Sequence, residues 1–194
     1  MYKRQIQNND YALTSGDIGY HFLVRVLSEN GRSDILYKMN NRSDRPGYGY
    51  QLKKGATSLT ESWAALPDVS NNHMMLGHLM EWFYSGLGGI YQEKNSVAYD
   101  RIVIAPKPVG DIAWVNCSFN SPKGIISSEW KREAGIFILN LEIPEKTMAE
   151  IVLPDGFGKT SCSVINTVRE KKVKAQIADG RFILNPGKYR VTAE

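Results

Sequence analysis

Residues 70–105 read SNNHMMLGHLMEWFYSGLGGIYQEKNSVAYDRIVIA, and the apolar period changes inside this stretch. In its first part Met74, Leu76, Leu79, Met80, Phe83 and Leu87 recur at helical spacing. Ser70-Asn71-Asn72 supplies capping oxygens and Gly86, Gly88 and Gly89 break the pattern. This spacing predicts a largely buried helix beginning at His73. From about Tyr99 the period falls to two, starting with the short apolar run Arg101 to Ala105. The chain is therefore expected to be helical first and β second, with the change between Gln92 and Ala98 and domains at 1–98 and 99–194.

Toward the N-terminus the helical reading continues. Thr14-Ser15-Gly16-Asp17 offers caps, Ile18, Phe22, Leu23, Val26 and Leu27 share one face, and Asn30-Gly31 supplies a left-handed stop. A shorter helix is expected from Ser33-Asp34, with Ile35, Leu36 and Met39 inward, and it must end before Pro46. Pro46-Gly47-Tyr48-Gly49-Tyr50 then reads as a glycine-rich aromatic loop.

Toward the C-terminus, alternation recurs at Ala113, Val115, Cys117 and Phe119, at Phe137, Leu139, Leu141 and Ile143, at Ala149, Ile151 and Leu153, and over Gly187 to Ala193. Turn signals separate these runs at Ser121-Pro122-Lys123-Gly124, Pro144-Glu145-Lys146, Pro154-Asp155-Gly156 and Asp179-Gly180. Short strands at this spacing predict an antiparallel β-sandwich.

Composition narrows the functional classes. The 24 Lys and Arg exceed the 20 Asp and Glu by only four and are scattered, apart from Arg169 to Lys174, which suits the solvated face of a strand better than a nucleic-acid groove. No nucleic-acid partner is expected. No apolar run approaches the ~20 residues of a membrane helix, so no membrane partner is expected either. Cys117 and Cys162 lack the spacing of a zinc site or disulfide framework and read as core thiols. Neither a metal nor a cofactor is implied. The segment MYKRQIQNND is not followed by the apolar stretch of a signal peptide.

The residues that carry chemistry lie in Gly55 to Trp63 and Ser70 to Gly77. A carboxylate at Glu61 with an indole at Trp63, and an imidazole at His73, suit a sugar pocket. Carboxylates activate water, imidazoles hydrogen-bond hydroxyls and indoles stack on pyranose faces. The residue pattern alone leaves simpler roles open: Glu61 as a helix-capping group, His73 as a cap-region residue and Trp63 as core. His21 and His78 read as core or interface histidines, and Asp17 as a partner of its helix dipole.

The ordered segments TSGDIGYHFLVRVLSENGRSD (14–34), PGYGYQLKKGATSLTESW (46–63), SNNHMMLGHLMEWFYSGLGGI (70–90) and KPVGDIAWVNCSFNSPKGIISSEW (107–130) resemble the inverting bacterial α-L-rhamnosidases of glycoside hydrolase family 78. The resemblance runs from about Thr14 to the C-terminus. It implies the C-terminal part of an (α/α)6 helical barrel followed by an antiparallel β-sandwich, acting on rhamnose-containing carbohydrate. By the same resemblance Glu61 matches the general base and His73 the rhamnose-contacting histidine, while Trp63 and Tyr48 fall where family aromatics lie near the pocket. Ala64 departs from the polar residue many members carry there, which puts neighbouring contacts in doubt.

The resemblance also implies that the chain alone is incomplete. The family's general acid lies upstream of the block that begins at Thr14, and before it this chain has only Asp10, in no matching motif. The remaining N-terminal part of the catalytic domain is thus an expected partner, and helices left uncovered by it are expected to support a homodimer. Full-length members are often periplasmic or extracellular. The alternative is a carbohydrate-binding or structural β-sandwich module with a helical docking segment and no catalysis.

Overall fold

The computed structural model describes residues 2–158 and 161–194 and divides into two compact units, Met1–Trp82 and Phe83–Glu194. The first carries helices α1 (Tyr2–Asn8), α2 (Asp17–Glu29), α3 (Ser33–Asn40), α4 (Tyr48–Lys53) and α5 (Leu79–Trp82), with a 3-10 turn at Met74–Leu76. The second opens with a π-helical turn, Phe83–Leu87, and continues, among the described residues, in ten strands. The first of these, β1 (Ile90–Gln92), precedes the expected change of period, because three residues are too few to display an alternation.

Local signals explain α2. The Arg32 N–H reaches the Leu27 carbonyl at 2.7 Å and the Gly31 N–H reaches Ser28 at 3.0 Å, with Gly31 at φ 67°. This is the left-handed stop expected of glycine there. The buried face differs from the expected one: Tyr20, Val24 and Leu27 point inward, whereas Ile18 and Phe22 are 70% and 62% exposed. The helix is apolar on two sides, and the side that this unit covers is the one holding Tyr20. Helix α3 buries Ile35, Leu36 and Met39 as expected.

Two expectations are corrected in this unit. Residues 48–53 form a helix rather than a loop, which Gly49 makes feasible: a Cβ there would collide with the Arg42 carbonyl. The stretch from His73 is not one continuous helix. Gly77 closes the 3-10 turn by donating to the Met74 carbonyl at 2.8 Å, and regular helix resumes only at Leu79. Leu76, Leu79 and Trp82 are buried, the last donating its indole N–H to Ser33 Oγ at 2.9 Å, while Met74 and Met80 are exposed.

In the second unit β1, β2 (Arg101–Ile104), β6 (Met148–Val152) and β9 (Arg181–Leu184) form one sheet in the order β1-β2-β6-β9. The strands β3 (Trp114–Ser121), β4 (Gly124–Glu133), β5 (Ile136–Ile143), β7 (Cys162–Asn166), β8 (Lys171–Lys172) and β10 (Gly187–Ala193) form the other, in the order β3-β4-β5-β10-β7-β8. Alternate side chains of both sheets meet in one core. Ile102, Ile104, Ile151 and Phe182 come from the first, and Trp130, Phe137, Leu139 and Val191 from the second. The sandwich is not wholly antiparallel, since β2 pairs β6 in parallel. The chain leaves β2, builds β3 to β5 in the other sheet and returns beside β2 in the same direction. Alternation reports which face is buried and carries no sign of a partner's direction.

Cys117 is buried and Cys162 half-buried, both as free thiols that burial pushes above the usual range. The basic run at 169–174 contains β8, whose two lysines are exposed at the sheet edge, where charge discourages further strand pairing. Ala113 is exposed and lies just outside β3.

Gly89 joins the π-turn to the sandwich at φ +72°, its carbonyl accepting the Ala105 N–H at 2.9 Å. A Cβ there would overlap the Ala105–Pro106 peptide. Gly89→Ala is expected to destabilise this unit by about 2–4 kcal/mol, through left-handed strain added to overpacking. Urea denaturation followed by β-sheet circular dichroism checks it, and an unchanged midpoint would show that the junction relaxes freely.

Candidate active site

The loop between α4 and the 3-10 turn doubles back on itself. The Glu61 N–H donates to the Ser70 carbonyl at 2.9 Å and the His73 N–H to the Leu59 carbonyl at 2.8 Å. Ser58 Oγ donates to the Asn71 carbonyl, and the Ser70 N–H donates to Glu61 Oε2 at 3.2 Å. These bonds tie 58–61 to 70–73, so Glu61 and His73, twelve positions apart in sequence, share one small structure. Glu61 caps no helix, because the N–H it accepts lies inside the loop, four positions before the 3-10 turn. The carboxylate is exposed, with Oε2 anchored by that N–H.

His73 immediately precedes the 3-10 turn and makes no side-chain cap. Its side chain is 23% exposed, and its Nε2 is sealed from solvent without a hydrogen-bond partner, 3.9 Å from Asp17 Oδ2. Asp17 Oδ1 accepts the Ile18 N–H at 2.8 Å. Sequence reading assigned Asp17 to the dipole of α2 and missed this approach, and no periodicity relates positions 56 residues apart.

Beneath the loop lies an aromatic cluster. Trp63 is buried; its indole N–H donates to the Ser15 carbonyl at 2.7 Å and its carbonyl accepts the Gly47 N–H at 3.1 Å. Tyr20 and Tyr48 meet the indole edge-to-face at centroid distances of 4.9 and 5.1 Å. Burial pushes the Tyr48 hydroxyl up to about 12, and that hydroxyl donates to the Leu76 carbonyl. Burial raises Tyr20 further, and its hydroxyl donates to Asn40 Oδ1 at 2.8 Å. Trp63 and Tyr48 thus pack against each other and against Tyr20. An open cavity of about 430 Å³ is lined by Lys54, Thr57, Ser58, Thr60 and Asn71, and not by Glu61 or His73.

The His21 and His78 rings lie 4.8 Å apart between centroids, tilted by 33°. Among the described residues no group of three or more His, Cys, Asp or Glu side chains is placed to hold a metal, and no helix is long and apolar enough to cross a membrane.

Residues 1–87 match the bacterial alpha-L-rhamnosidase 6 hairpin glycosidase domain, and residues 89–167 match the bacterial alpha-L-rhamnosidase C-terminal domain. The chain belongs to the bacterial α-L-rhamnosidase family. It is 30% identical over 158 residues to an alpha-L-rhamnosidase of Streptomyces avermitilis, covering 77% of this chain and 15% of that protein. It is 27% identical over 208 residues to one of Formosa agariphila, covering 98% of this chain and 22% of the other. A Streptomyces avermitilis alpha-L-rhamnosidase solved with L-rhamnose superposes over 98% of this chain and 19% of its own, with a TM-score of 0.84 at 27% identity. The enzyme of Dictyoglumus thermophilum does so over 97% and 22%, at 0.81 and 26%. The chain therefore spans between 15% and 22% of the length of these relatives. The helical part of the family's six-hairpin domain is the part that holds Glu61 and His73, and the β-sandwich corresponds to the family's C-terminal domain.

Proposed function

We propose that the chain forms the C-terminal part of an inverting glycoside hydrolase that releases terminal α-L-rhamnose from glycosides or polysaccharides. The observation that carries this reading is the laced loop 58–73, which holds the exposed Glu61 carboxylate by one oxygen in the same small structure as His73. Glu61 is the general base: its free oxygen takes a proton from water as that water's oxygen bonds to the anomeric carbon from the face opposite the leaving group. The glycosidic bond breaks, and the leaving oxygen takes a proton from a carboxylic acid supplied by the rest of the catalytic domain. Inverting enzymes set the two carboxyl groups roughly 6.5 to 9.5 Å apart to leave room for that water. His73 binds a sugar hydroxyl. Trp63 and Tyr48 back the pocket from beneath, holding the loop at its height.

Two experiments test this reading. In the full-length enzyme, proton NMR of freshly released sugar is expected to show β-L-rhamnose first, whereas α-L-rhamnose as the first product would require a nucleophile and remove the base assignment from Glu61. The 194-residue chain alone is expected to leave a chromogenic α-L-rhamnoside uncleaved, because protonation of the leaving group contributes about 10²- to 10⁴-fold and its donor lies elsewhere. Turnover by the isolated chain at the rate of the whole enzyme would place the acid within these residues.

The same reading makes the outer face of the helical unit an interface. Ile18, Phe22, Met74 and Met80 are more than half exposed, and large apolar exposure marks a surface that meets a partner. In the isolated chain that partner is a second copy, so light scattering is expected to show concentration-dependent dimers. A monomer at high concentration with little binding of a hydrophobic dye would contradict this.

A further inference from the structure

We propose that Asp17 is a positioning residue for His73: its free carboxylate oxygen accepts a hydrogen bond from the imidazole Nε2–H, which keeps the proton on Nε2 and leaves Nδ1 as the acceptor for a sugar hydroxyl. The inference deepens the proposed function and rests on its assignment of His73 to sugar binding. Three observations carry it. His73 Nε2 is sealed from solvent and has no hydrogen-bond partner, although a buried polar nitrogen left unpaired is costly and rare in folded proteins. Asp17 Oδ2 lies 3.9 Å away, about 1 Å beyond a charge-assisted hydrogen bond. The first turn of α2 fixes the other oxygen through the Ile18 N–H, so the carboxylate is anchored with one oxygen left to face the ring.

The consequence is chemical. A neutral imidazole carries one N–H and one lone pair, and the partner of one nitrogen decides what the other can do. With Asp17 holding the proton on Nε2, the exposed part of the ring offers an acceptor, and the bound hydroxyl must donate. Hydrogen bonds of active sites are often long without substrate and tighten when it binds, and a short movement of this loop closes the remaining gap. An imidazole pinned in this way loses less freedom when the sugar arrives.

The test reads the tautomer and the kinetics separately. Nitrogen-15 NMR of the imidazoles in the 194-residue chain, at about pH 8 where histidines are ordinarily neutral, is expected to show His73 with its proton on Nε2. Asp17→Asn keeps an oxygen for the Ile18 N–H but removes the charge. It is expected to move the His73 proton partly or wholly to Nδ1, with the His21 and His78 signals unchanged as a check on the fold. Asp17→Glu is expected to keep the wild-type tautomer. In the full-length enzyme Asp17→Asn should raise KM for a rhamnoside about tenfold with little change in kcat, the signature of lost uniform binding. A His73 tautomer indifferent to Asp17→Asn, or an unchanged KM, overturns the proposal. If the tautomer depends on Asp17 but the wild-type enzyme cleaves no rhamnoside, the coupling stands and the functional reading fails; if rhamnosides are cleaved and the tautomer ignores Asp17, the coupling alone fails.

Discussion

Glu61→Gln in the full-length enzyme is expected to lower kcat for an α-L-rhamnoside by at least about a hundredfold while the melting temperature stays close to that of the wild type. Glutamine keeps the size of the side chain and an oxygen able to accept the Ser70 N–H, so the loop 58–73 retains its lacing. It cannot take a proton from water. Steady-state kinetics and a thermal melt of the same preparation check both halves. The opposite pattern, normal turnover with a lowered melting temperature, would reduce Glu61 to an anchor for Ser70.

Trp63→Ala carries the largest expected cost in stability. The indole is buried against Tyr20 and Tyr48 and bonded to Ser15, so its removal opens a cavity where the loop rests on α2 and α4. Large-to-small changes of this kind cost about 3–5 kcal/mol. Trp63→Phe keeps much of the packing and loses the indole N–H, for about 1–3 kcal/mol. Chemical denaturation followed by the circular dichroism of the helical unit distinguishes the two variants. Had Trp63 served as a stacking platform for the sugar, Trp63→Ala would raise KM and leave the denaturation midpoint alone.

Features set by near neighbours in sequence were legible before the structure. Gly31 stops α2, its N–H donating to Ser28 and the next N–H, of Arg32, to Leu27, and the alternation of Phe137, Leu139, Leu141 and Ile143 places all four in the sandwich core. Features set by distant partners were not. Ile18 and Phe22 are as apolar as Val24 and Leu27, so the period of α2 announces a helix without saying which side this unit covers. The apolar spacing from Met74 to Leu87 reads as one helix although the chain turns at Gly77, and of the side chains it counts only Leu76, Leu79 and Leu87 are buried while Met74, Met80 and Phe83 stay exposed. The parallel pairing of β2 with β6 depends on the path of the three strands between them.

The site divides along the same line. Glu61 and His73 stood out by residue type and by family resemblance, whereas their juxtaposition comes from backbone bonds between 58–61 and 70–73 that no spacing rule encodes. Trp63 and Tyr48 were legible as aromatics of the region, but their packing together follows from Tyr20 and from the Ser15 carbonyl, where the sequence suggested only a cap. Asp17 was read through its helix alone, and its approach to His73 required the fold.

The central claim is that Glu61 activates water in an inverting hydrolysis, and chemical rescue addresses it directly. In the full-length enzyme Glu61→Ala with added azide is expected to recover turnover and to give β-L-rhamnosyl azide, because a small anion needs no base and enters from the face that water would use. Product with the α configuration, or a Glu61→Ala enzyme that azide fails to revive although it still binds the substrate, would contradict the claim.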